Sequence, residues 1–203
     1  NIISLLRGVT ANFEALADTR EINLVFCAEE EDITLYVDAG KLEEVVANLL
    51  INAFKFTPAG GKITVVVKQK LLQEVQGGGI FEKSPPGCQG QDYIEISVSD
   101  TGPGIPREQL VHIFDRFYQS ENAYENHKKG TGIGLAIVKE LVQLHHGKID
   151  VYSHEGRGTE FIISLPLGDA HLQPDEIIRV GAVDVETAGE GKRIPPGVGF
   201  QAA

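Results

Sequence analysis

Three alternating glycines stand in the run Gly130-Thr131-Gly132-Ile133-Gly134-Leu135, at what reads as the start of a helix. Glycine lets the backbone come close to a ligand, and the free N–H groups of a helix start favour an anion, a phosphate above all. A glycine-rich turn without a ligand is the other reading of the hexamer alone. The two usual glycine fingerprints do not fit. In the dinucleotide pattern G-x-G-x-x-G the third glycine would fall on Leu135, and residues 120–129 before it are polar and loop-like, not a strand. The P-loop string G-x-x-x-x-G-K-[ST] is absent. A nucleotide bound here would be held in another way.

Asn48, Asn52 and Lys55 lie together at the border of an apolar helix face, one turn apart. Asn is a poor helix former. Two at i, i+4 mark either a solvated polar edge or a pair of carboxamide oxygens facing a hard cation, with Lys55 facing phosphate. Mg²⁺ suits the second reading, since it takes few protein oxygens and is held mainly by substrate phosphates and water. Asp100 ends an alternating strand and leads into Thr101-Gly102-Pro103-Gly104-Ile105-Pro106. Its carboxylate either caps a turn or accepts a hydrogen bond in a pocket, where the amino group of a purine is a suitable donor. The Asp-Thr-Gly of an aspartic protease fits poorly. That chemistry needs two such carboxylates sharing a proton; this chain has one, with Pro103 where a small residue is expected.

The elements that must position these residues follow from periodicity. Helices are predicted over residues 4–20 and 39–55, the second capped by Asp38, over 107–113, and from the glycine hexamer to about residue 146. Strands are predicted over residues 22–26, 33–37, 63–67, 93–98, 149–152 and 159–165. Residues 71–91 contain Gly77-Gly78-Gly79 and Pro85-Pro86-Gly87 and read as a mobile insertion, far longer than a hairpin loop. The polar segment 119–129 reads as a lid over the glycine helix. Residues 1–167 are expected to form the main domain, and 168–203 a tail or linker.

The chain has 203 residues, 42% of them hydrophobic, and a formal net charge of -11. That fills one globular core, and the acidic balance argues against nucleic acid or an anionic membrane as a general partner. No apolar run approaches the ~18 residues of a membrane span. A chain that opens on Asn1 reads as a fragment. Cys27 and Cys88 show neither metal spacing nor a disulfide framework, so a reducing cytoplasm is the default.

Taken together, these segments resemble one family. Asn48-Leu49-Leu50-Ile51-Asn52-Ala53-Phe54-Lys55-Phe56-Thr57 resembles the asparagine box of sensor histidine kinases. Asp100-Thr101-Gly102-Pro103-Gly104-Ile105 is similar to their first glycine box, Phe114 to Tyr118 to their phenylalanine box, and the hexamer from Gly130 to Leu135 to their second glycine box. Gly156-Arg157-Gly158-Thr159-Glu160-Phe161 resembles their closing glycine-threonine strand. The resemblance implies a Bergerat-type ATP-binding fold of the α+β class. This is a two-layer α/β sandwich, with helices on one face of a mixed, mostly antiparallel sheet, and ATP under a flexible lid. It implies ATP and Mg²⁺ as the bound groups. Asn52 would hold the metal, and Asn48 and Lys55 would support the phosphates. Asp100 would bind the adenine amino group in a pocket opened by Gly102 and Gly104. Gly132 and Gly134 would cradle phosphate, and Thr159 would lie near the adenine. Ile105, Tyr118, Gly130, Thr131, Ile133 and Leu135 would line the same nucleotide site.

Many family members end the phenylalanine box with Arg, where this chain has Gln119; Arg116 is the nearby substitute to reach the γ-phosphate. Hydrolytic relatives of gyrase, mismatch-repair and heat-shock type carry Glu four residues before the metal Asn. Here that position is Asn48, and an amide is no general base, so phosphoryl transfer is expected over hydrolysis. The histidines at 112, 127, 145, 146, 154 and 171 do not match the family's acceptor string. The expected partners are the dimerisation and histidine phosphotransfer domain of the parent kinase and, indirectly, a response regulator receiver domain, with the chain in the cytoplasmic part of a sensor. The alternative is a non-catalytic nucleotide-binding signalling module.

Overall fold

The structure, a computed structural model, describes residues 1–71, 88, 92–119, 131–173 and 177. The chain divides into two units, Asn1–His171 and Leu172–Ala203, and the fold below is that of the first. Five strands form one sheet in the order β1-β2-β3-β5-β4: β1 Asn23–Ala28, β2 Lys62–Lys70, β3 Tyr93–Asp100, β4 Lys148–His154 and β5 Gly158–Pro166. Only β1 and β2 run parallel; the other three pairings are antiparallel. The helices are α1 Ile2–Ala11, α2 Glu14–Thr19, α3 Ala39–Phe56 and α4 Gly134–Leu144. This is the mixed, mostly antiparallel α+β layout expected from the sequence.

Alternation explains which face the helices cover. Ile63, Val65 and Val67 of β2, Ile94, Ile96 and Val98 of β3, and Phe161, Ile163 and Leu165 of β5 are all buried on one face. Against them lie Val45, Val46, Leu49, Leu50, Ala53 and Phe54 of α3 and Val138 and Val142 of α4. At ~25 cal/mol per Å² of apolar surface, this shared layer is the main stabilising contribution. The sheet's register then sets a row on the covered face. Ile63, Asp100, Thr159 and Ser153 stand side by side on β2, β3, β5 and β4.

Three predicted elements differ. The helix expected over 4–20 is two helices, broken at Asn12 and Phe13, where Phe13 turns to stack on Phe54 with ring centroids 5.6 Å apart. The strand expected over 33–37 does not form: residues 33–36 run as irregular chain, with Ile33 buried and its carbonyl accepting from Ile2 N–H at 2.9 Å. The helix expected over 107–113 is a run of turns. The N–H groups of Gln109, Leu110 and His112 reach back only three residues, to Pro106, Arg107 and Gln109. Residues 72–87 and 89–91 of the expected insertion lie outside the described residues, as do 120–129 of the expected lid and Gly130.

Candidate functional site

The row across the sheet ends in polar groups. Asp100 Oδ1 accepts from Gly102 N–H at 2.7 Å, and the Thr159 N–H also points at this carboxylate. Burial nonetheless raises the Asp100 carboxyl above its ordinary value, against those two N–H groups. The chain after Asp100 is tied down on both sides. Thr101 pairs with Lys62 through N–H to O at 3.1 Å and accepts from Lys62 N–H through its hydroxyl at 2.9 Å. Pro103 O accepts from Gly156 N–H at 2.7 Å, which ties it to the turn between β4 and β5. Gly104 must be glycine: its φ is +76°, and a Cβ would sit 2.2 Å from His154 O. Ile105 N–H donates to Ser153 Oγ at 2.8 Å.

The second wall is α3 against α4. Asp38 caps α3, its Oδ1 accepting from Lys41 N–H at 3.0 Å. At the other end, Arg20 Nη1 donates to Phe54 O at 2.8 Å, and so satisfies a last-turn carbonyl. His145, just past α4, fastens the two helices. Its Nδ1–H donates to Leu141 O at 2.7 Å and its Nε2 accepts from Asp38 N–H at 3.1 Å. Asn48 Nδ2 donates to Glu44 O at 2.9 Å, and its Oδ1 faces α4, 3.0 Å from where a Cβ on Gly134 would stand. Asn48 and Gly134 thus bring the two helices together. Asn52 is half-buried, and its side chain makes no hydrogen bond to a described residue. The Lys55 ammonium lies 4.9 Å over the Phe56 ring.

α4 opens without a side-chain cap. The N–H groups of Gly134, Leu135 and Ala136, in its first turn, have no intrahelical acceptor and carry the positive end of the helix dipole. Ahead of them Gly132, at φ +70°, is locked to the phenylalanine segment. Phe117 N–H donates to Gly132 O at 2.8 Å, and a Cβ on Gly132 would lie 2.7 Å from Phe117 C. Phe117 is itself left-handed, at φ 67°. Phe114 anchors the segment edge-on to Phe161, ring centroids 6.4 Å apart. Tyr118 is half-buried beside His112. Arg116 does not face the helix start: its Nη2 donates to Glu140 Oε1 at 2.5 Å on the outer face of α4, and both side chains are mostly exposed.

The structure therefore groups the predicted residues into two walls. One carries Asp100, Gly102, Gly104, Ile105 and Thr159, the other Asn48, Asn52, Gly132, Ile133, Gly134 and Leu135. Lys55 lies one turn beyond Asn52 on α3, and Thr131 just ahead of Gly132. Sequence reasoning missed Ser153, whose hydroxyl touches Ile105, Gly158 and Thr159. Its signal was a small hydroxyl on the inward face of β4, in step with Ile149 and Val151. Among the described residues no group of three or more His, Cys, Asp or Glu is arranged to hold a metal ion. Cys27 and Cys88 are free; Cys88 is buried, which pushes its thiol up to about 11. No helix among the described residues is long and apolar enough to cross a membrane.

Residues 37–169 match the family described as histidine kinase-, DNA gyrase B-, and HSP90-like ATPase. The chain is 36% identical over 181 residues to Histidine kinase P4 of Formosa agariphila, covering 88% of this chain and 12% of that protein. It is 37% identical over 177 residues to Hybrid signal transduction histidine kinase D of Dictyostelium discoideum, covering 85% of this chain and 10% of that one. Among solved structures, the catalytic domain of histidine kinase ThkA aligns with a TM-score of 0.63 at 27% identity, over 82% of this chain and 95% of that chain. The chain thus spans about a tenth of the two relatives named but nearly the whole of a separate catalytic domain.

Proposed function

The chain belongs to the family of histidine kinase-, DNA gyrase B- and HSP90-like ATPases, and on that premise we propose that it is the ATP-binding catalytic domain of a sensor histidine kinase, transferring the γ-phosphate of ATP to a histidine on a dimerisation domain. The observation that carries this reading is the setting of Asn48 and Asn52. Where a hydrolytic relative needs a carboxylate to activate water, Asn48 turns a carboxamide to Gly134. An amide holds geometry but takes no proton. The site is thus built to position a phosphoryl group, and positioning with electrostatic stabilisation is most of what phosphoryl transfer needs.

The residue roles follow. Asp100 accepts from the purine amino group. The uncapped N–H groups of α4 and the Lys55 ammonium stabilise phosphate charge. Asn52, with an uncommitted carboxamide, would offer one oxygen to a Mg²⁺ brought by the nucleotide; a resident metal would need a richer donor set. A Mg²⁺ held there would supply charge neutralisation at the phosphates. None of the six histidines matches the family's acceptor string. Among the described ones, His112 pairs with Asp115, His145 joins the two helices and the His146 ring meets that of His171. On this reading the acceptor comes from the dimerisation domain, with a receiver domain next in the relay and the whole on the cytoplasmic side.

The test is incubation with γ-labelled ATP, with and without a histidine kinase dimerisation domain added in trans. Acid-labile, base-stable label is expected on the added domain alone. Such label on this chain by itself would overturn the reading.

A further inference from the structure

Ser153 sits where three polar groups converge. Ile105 N–H lies 2.8 Å from its Oγ, Gly158 O lies 3.0 Å away, and Thr159 Oγ1 lies 2.9 Å away. A serine hydroxyl has one proton and two lone pairs. The amide of Ile105 can only donate, so it takes one lone pair. The carbonyl of Gly158 can only accept, so it takes the proton. One lone pair remains, and Thr159 can satisfy it only by donating its own proton to Ser153. The Thr159 oxygen is then left with lone pairs alone.

Thr159 is 7% exposed and stands next to Asp100 in the β3–β5 register. The row therefore offers the pocket two acceptors side by side, the Asp100 carboxylate and the Thr159 oxygen. We propose that Ser153 is a positioning residue that fixes the hydrogen-bond polarity of Thr159, and through it the preference for a purine bearing an amino group at C6 over one bearing a carbonyl. An amino group, or a water bound to it, finds two acceptors there. A carbonyl finds acceptor against acceptor. Without Ser153 the Thr159 hydroxyl turns freely, accepting from an amino group or donating to a carbonyl. The inference rests on the reading of the Asp100 row as the purine pocket.

The test is calorimetric titration of the full chain with Mg-ATP and Mg-GTP. Ser153→Ala is expected to lower the ATP-to-GTP affinity ratio roughly tenfold, the worth of about one hydrogen bond. Ser153→Thr, which keeps the hydroxyl, restores the ratio. In a Thr159→Val background Ser153→Ala changes the ratio no further, because the two side chains act as one unit. An equal loss for both nucleotides in Ser153→Ala, with the ratio intact while Asp100→Asn shifts it, overturns the inference and leaves the pocket reading standing. A ratio that moves in neither variant overturns both. If Ser153→Ala does not fold, Thr159→Val in the native chain carries the test: the same loss of ratio supports the inference, and an unchanged ratio overturns it.

Discussion

Asp100 shows what burial does to a carboxylate, here one that the proposed function assigns to purine recognition. Its folded-state value is raised above the ordinary 3.8 by burial. The stability it contributes is therefore present below 3.8 and lost as pH rises through the raised value; at neutral pH the ionised group destabilises the fold. Asp100→Asn is expected to raise the melting temperature at neutral pH, with the gain vanishing below 3.8, as scanning calorimetry across pH would show. The same variant should weaken ATP binding by roughly tenfold or more, the worth of a hydrogen bond to a charged group. A drop in melting temperature at neutral pH would mean that the N–H groups of Gly102 and Thr159 outweigh the desolvation. Gly132 makes the opposite case. Gly132→Ala imposes φ +70° on a residue with a Cβ and drives that atom to 2.7 Å from Phe117 C. The left-handed conformation alone costs about 1–2 kcal/mol, so a melting temperature lower by roughly 5 °C is expected, with weaker nucleotide binding. The types and order of Asp100, Asn52 and the glycines made these residues legible in the sequence. Ser153 was not, because its role depends on three partners that only strand register brings together.

At the scale of elements, α3 carries Asn48, Asn52 and Lys55 of the candidate site and is tied at both ends. Asp38→Ala removes the N-cap bond to Lys41 and should cost about 1 kcal/mol, seen as a melting temperature about 2–4 °C lower and faster amide exchange in the first turn of α3. Unchanged exchange there would show that the His145 bond to Asp38 N–H holds the turn without the carboxylate. The strongly periodic α3 and the strands β2, β3 and β5 were legible because period and burial agree. At Phe13, Ile33 and Arg116 the pattern misled for one reason, that a tertiary partner outweighed it; the turns at 107–113 instead close on local bonds. Phe13 stacks on Phe54 and breaks the first helix. Ile33 is drawn under the start of α1, its carbonyl taken by Ile2 N–H. Arg116 bonds to Glu140, a residue that sequence places on another element.

At the scale of the whole molecule, β3 is the keel. It is paired on both sides, by β2 and β5, while β1 and β4 are edges. Amides of Ile96 and Ile163, fully buried on adjacent strands, should exchange only through global opening, and those of β1 through smaller, earlier openings. Hydrogen-exchange mass spectrometry resolves this; equal protection in β1 and β3 would mean that the sheet opens as one unit. The residues read as nucleotide-binding come from the end of β3, the start of β5, the middle of α3 and the start of α4. The site therefore inherits the rigidity of the keel along the Asp100 row.

The bond from Phe117 N–H to Gly132 O has a topological consequence. It holds Phe117 and Gly132 against one another within the fold itself, so their approach does not wait for a ligand. Loop entropy grows only as the logarithm of length: doubling a flexible loop costs about 0.6 kcal/mol. The frame that holds Asn52 and Asp100 is thus closed at Phe117 and Gly132 themselves, whatever the length of the chain between them.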